Sequence, residues 1–91
     1  MLHAMTRAAL TVTLLGWALL YTHGKEWEVM DDFPYQTTCL RVRAVNVDRD
    51  VKNEIGEALA EQPPDNPMRQ QAYARAERRV SERYRCEWKG Q

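Results

Sequence analysis

Histidine is scarce in this chain of 91 residues: His3 and His23 are the only two. Both fall within the first twenty-four residues, and Ser81 has no histidine near it in sequence. Beyond residue 24, therefore, a Ser–His or Cys–His nucleophile pair cannot be assembled. Cys39 and Cys86 are the only cysteines and stand too far apart for a redox Cys-x-x-Cys. Four scattered glycines form no phosphate-cradling loop. The formal net charge is zero, which makes nucleic acid a poor candidate for a partner. The sequence predicts no cofactor, no metal and no enzymatic activity.

Long apolar runs are also lacking, apart from one stretch near the start. Ala8–Thr22 is apolar but for three threonines and a glycine, follows Arg7, and gives way to a polar chain at Lys25. As a helix its 15 residues would reach about 22 Å, against roughly 30 Å of bilayer hydrocarbon. A cationic start, an apolar middle, and Thr22 and Gly24 as small residues before the polar chain make the layout of a signal peptide. Residues 1–24 are thus expected to be an apolar helix acting as a signal peptide cleaved after Gly24. The alternative is a retained signal anchor, with Trp17 and Tyr21 at the far interface. Either expectation places residues 25–91 outside the cytoplasm, periplasmic or secreted, or anchored to a membrane and facing the periplasm.

Those 67 residues suit one small domain, a size that often needs a covalent staple. In an exported chain Cys39 and Cys86 read as one disulfide with a single possible connectivity. Closing a loop of about 48 residues contributes on the order of 4 kcal/mol by the chain-entropy model.

Within the domain, Trp27 and Val29 alternate with Glu26 and Glu28, the pattern of a half-buried strand that Asp31-Asp32 and Pro34 end in a turn. Leu40, Ala44, Val47, Val51, Ile55, Ala58 and Leu59 recur at helical spacing. This predicts one long helix from Thr37 or Thr38 to Glu61, stopped by Pro63-Pro64 and weakened at Gly56 by about 1 kcal/mol. The β-branched content of residues 37–47 supports a strand there instead, with Asp48 capping a shorter helix. Asn66-Pro67 opens a second helix over Pro67–Arg79, with Met68, Ala72, Ala76 and Val80 on one stripe. Tyr84-Arg-Cys-Glu-Trp88 alternates again as a strand. The expected fold is α+β: two antiparallel helices on a two-stranded antiparallel ribbon, one disulfide, and a preceding apolar helix.

Trp27, Phe33, Thr37, Cys39, Tyr84, Arg85 and Cys86 together resemble a loose group of small, uncharacterised exported bacterial two-cysteine proteins. The resemblance spans residues 25–91, rests on a sparse motif, and implies an exported, disulfide-bonded α+β domain without implying an activity. The chain departs from that group in lacking a small acidic residue directly after Thr37. It also ends its last strand in Glu87-Trp88 where a Leu-Pro-like ending is usual.

Charge is unevenly spread. Residues 25–66 hold ten acids and five bases, whereas residues 67–91 hold seven bases and three acids. Complementary packing of the halves accounts for this. The sharper alternative is a partner surface made of Arg69, Arg75, Arg78, Arg79 and Arg83, facing an acidic protein or anionic lipid headgroups. Asp48-x-Asp50 with Asn53 and Glu54 faintly suggests calcium but lacks the loop glycine and the terminal glutamate. Glu54, Glu57 and Glu61 read as a solvated helix side, and Asp31-Asp32 with Glu28 as an acidic turn rather than a catalytic carboxylate set. Trp27, Tyr73, Tyr84 and Trp88 are expected in the core rather than lining a ligand cleft. The function expected is a non-enzymatic interaction or structural protein of the cell envelope. A signal-anchored accessory subunit of a membrane protein complex is the alternative. Beyond these stand a hydrolase inhibitor using Gln62–Asn66 and a small carboxylate enzyme.

Overall fold

The structure, a computed structural model, describes residues 16–90. Its first element, β1 (Trp17–Thr22), is the middle of the molecule. The six residues Trp-Ala-Leu-Leu-Tyr-Thr are apolar almost throughout, which suits a strand covered on both faces. Ala18, Leu19 and Leu20 are each no more than 3% exposed. β2 (Trp27–Phe33) and β3 (Tyr84–Trp88) flank β1, both antiparallel to it, in the order β2-β1-β3. Gly16 turns the chain into β1 at φ 91°, a conformation that costs glycine nothing. A Cβ there would also meet the Trp88 ring at 2.9 Å. Lys89 donates its backbone N–H to Gly16 O, which extends the β3 ladder by one rung.

Two sequence expectations are corrected here. Residues 27–33 and 84–88 are strands but do not pair with each other, because β1 lies between them. The expected apolar helix over residues 1–24 is, from Trp17 to Thr22, this central strand; residues 1–15 lie outside those described. The reason is physical. A two-stranded ribbon cannot bury enough apolar surface to be stable, and the apolar run bracketed by Gly16 and Gly24 supplies the third strand. A cut after Gly24 would remove β1, so nothing in the described residues supports a signal peptide ending there. No helix among the described residues is long and apolar enough to cross a membrane.

α1 (Gln36–Ile55) follows, so the strand alternative for residues 37–47 is not adopted. Neither Thr37 nor Thr38 caps it; Tyr35 is the capping residue and makes no side-chain cap hydrogen bond. The inward face runs through Cys39, Val47 and Val51, with Val42 and Ile55 packed beside them. Leu40 and Ala44, expected on that face, are exposed, because Cys39 rather than Leu40 points at the sheet. The single long helix to Glu61 is broken at Gly56, whose φ of 94° no α-helix contains. A short helix, α2 (Glu57–Ala60), carries the chain on to the proline loop.

Asn66 caps α3 (Pro67–Ser81) as expected: its Oδ1 accepts from the N–H groups of Met68 at 2.9 Å and Arg69 at 3.2 Å. α3 returns along α1, burying Ala76 and Val80 while Met68 stays in solvent. Cys39 and Cys86 form the disulfide, which pins the first turn of α1 to the middle of β3. Leu19, Cys39, Val47, Val51, Ala76, Val80 and Tyr84 make one continuous core under the helix layer.

Candidate interaction surface

Strand registry assigns the two faces of the sheet. Trp17, Leu19 and Tyr21 of β1 pair across to Trp88, Cys86 and Tyr84, and these face the helices. Ala18, Leu20 and Thr22 therefore face away, level with Glu87 and Arg85 of β3 and with Asp32, Val29 and Trp27 of β2. On this outer face the Arg85 guanidinium lies 4.2 Å from the centroid of the Trp27 ring. The pair reaches across β1, a cation–π contact of about 0.5–2 kcal/mol by the usual range. Arg85 also meets Glu87 at 3.0 Å, and Glu87 meets Lys89 at 2.9 Å. Flanked by these two cations, the Glu87 carboxyl is held below the ordinary glutamate range, chiefly by the Lys89 hydrogen bond.

β2 is the open part of this surface. The helix layer reaches it at Phe33, which packs on the core, but Trp27–Asp31 is exposed throughout. Val29 is 47% and Met30 48% exposed. The register shifts between Leu19 and Leu20, leaving Met30 as the extra residue of a bulge. Glu28 lies opposite Tyr21 and Asp31 opposite Leu19, on the helix-facing side yet beyond the helices' cover. Asp32 lies opposite Ala18 on the outer face. Asp31 and Asp32 thus point to opposite sides, and Glu28, Asp31 and Asp32 do not converge as a catalytic set.

A second concavity, about 570 Å³, runs between α1 and α3 past Ala44, Val47, Asp48, Tyr73 and Arg78. Of its polar groups, Arg43, Asp48 and Tyr73 are engaged, whereas Glu77 and Arg78 make no side-chain hydrogen bond or ion pair among the described residues. Tyr73 donates its hydroxyl to Asp48, which also meets Lys52 at 2.9 Å. These two hydrogen bonds hold the Asp48 carboxyl below the ordinary range. The Tyr73 hydroxyl is pushed up to about 12, first by the Asp48 carboxylate it bonds and then by burial. Tyr84 donates to Asp50, and its hydroxyl is likewise pushed up to about 12, with burial the larger cause. Arg43 donates Nε to Tyr84 O at 3.0 Å and Nη2 to Ser81 O at 2.8 Å. The groove is the seam of the helix pair.

The remaining sequence candidates are dispersed. Asp48 and Asp50 serve different tyrosines, and among the described residues no group of three or more His, Cys, Asp or Glu side chains could hold a metal ion. Of the five arginines, Arg69 donates to Ala60 O at 3.2 Å and Arg79 meets Glu54 at 2.9 Å, joining the two halves of the chain. Arg75, Arg78 and Arg83 are exposed. Trp27 and Trp88, expected in the core, are 36% and 53% exposed, whereas Tyr84 is buried. Sequence reasoning missed the surface because β2 was assigned a cover it lacks; the signal was Glu26 to Asp32, too acidic for a strand buried on either face. No family model matches the chain, and no curated protein or solved structure matches it.

Proposed function

We propose that this chain is a small non-enzymatic interaction domain of the cell envelope or extracellular space, and that it holds a protein partner on β2 and the outer face of its sheet. One observation carries the proposal: Trp27, Val29 and Met30 are exposed together on one overhanging strand. The disulfide fits an oxidising compartment. A photo-crosslinking residue placed at Val29 or Met30 in the producing cells should yield a discrete protein adduct, while the same residue at Arg75 should not. Adducts from Arg75 alone, or from none of the three, would overturn the proposal.

A further inference from the structure

β2 presents three features together. It is an edge strand, so one side of its backbone faces no other strand among the described residues. Trp27–Asp31 is exposed, with the Arg85 guanidinium over the Trp27 ring. It is also the most acidic strand: Glu26 precedes it, Glu28, Asp31 and Asp32 lie within it, and Glu26, Glu28 and Asp31 make no ion pair among the described residues. Edges of this kind are where an extended segment adds as a further strand, its affinity coming from backbone hydrogen bonds and its selectivity from alternate side chains. We infer that β2 takes up a basic, extended segment of a partner protein, added edge-on as the fourth strand of the sheet. This deepens the proposed function, and rests on it, by naming the kind of segment the same surface would hold.

The registry states what that segment must look like. Residues directly opposite one another share a face. Positions opposite Trp27 and Val29 would lie on the outer face beside an indole and a valine, so they call for apolar or β-branched side chains. Positions opposite Glu28 and Asp31 would lie on the other face beside uncovered carboxylates, so they call for lysine or arginine. The matching segment alternates basic and apolar residues. A second copy of this chain is the wrong occupant through this edge, because two β2 strands would set carboxylates against carboxylates, which is destabilising. The same acids therefore reject self-pairing while favouring a basic strand, and the bulge at Met30 limits how long an uninterrupted ladder can grow.

The test is an amide NMR titration of the full, oxidised chain with a synthetic peptide of alternating lysine and valine. Two control peptides are used: one of alternating glutamate and valine, and the lysine–valine peptide N-methylated on its pairing edge. The expected result is that amides of residues 27–33 shift and gain exchange protection. Both controls should bind at least about tenfold more weakly, since one reverses the charge and the other removes the backbone donors. Glu28→Lys with Asp31→Lys, both at exposed positions, should invert the preference toward the glutamate–valine peptide. Equal binding of the N-methylated peptide would overturn strand addition, as would shifts confined to the helix groove or to β3, or no binding at all. If the peptides fail while crosslinks at Val29 persist in cells, strand addition falls and the interaction surface stands. If the crosslinks fail as well, both fall.

Discussion

β2 and β3 flank the same central strand and look alike in sequence, each carrying a tryptophan and charged residues, yet they are held very differently. β3 is fastened to the helix layer by the Cys39–Cys86 bond, by Arg43 on the Tyr84 carbonyl and by the Tyr84 hydroxyl on Asp50. β2 has its ladder to β1, the Phe33 anchor and the Trp27–Arg85 contact. Side chains that cross between layers turn one edge into part of the core; without them the other edge stays available. Amides of β3 should accordingly exchange more slowly than those of β2, since local opening follows the contacts that must break.

The largest expected effect removes what both edges share. A chain beginning at Lys25 loses β1 and should not fold, whereas one beginning at Gly16 keeps every core residue named above; circular dichroism and amide dispersion distinguish them. Next, Cys39→Ser with Cys86→Ser should cost about 4 kcal/mol in denaturant unfolding, the chain-entropy value for this loop. Its first sign should be lost exchange protection in β3, while β2 amides change little. Arg43→Ala leaves the Ser81 and Tyr84 carbonyls without these donors and should cost about 2 kcal/mol, in the range for charge-assisted hydrogen bonds. On the other edge, Val29→Ser should change stability by about 0.5 kcal/mol or less, as exposed positions do. A loss there comparable to that of Arg43→Ala would erase the contrast between the edges.

The smallest effect is one of pH. Tyr73 and Tyr84 have folded values near 12 against an ordinary 10.0, so their contribution is complete below pH 10 and is lost as pH rises toward 12. Asp48 is depressed, so its contribution is present above the usual carboxylate value and is lost as pH falls through its folded one. That side chain is 44% exposed, so solvent screening keeps the acid limb shallow. Denaturant midpoints should fall above pH 10, and Tyr73→Phe with Tyr84→Phe should remove that fall.

Much of the fold was legible where local rules act alone. Asn66-Pro67 announced α3 and the two cysteines announced their bridge. The stripe from Leu40 to Leu59 announced a helix, but Leu40 and Ala44 face solvent and the helix ends at Ile55. The open face of β2 was not legible, because exposure of Trp27 and Val29 depends on how far the helices reach across the sheet. Alternation alone shows that a strand has two faces, not which of them is covered.

β1 marks the boundary between the two kinds of information. Trp17–Thr22 had to leave water by its own composition, and the sequence alone determines that. A short apolar run cannot distinguish among a leader, a membrane segment and a buried strand, since all three satisfy the same hydrophobic requirement. Only the tertiary structure decided, because β2 and β3 each carried a ladder of backbone groups in need of a partner, and one apolar strand between them satisfied both.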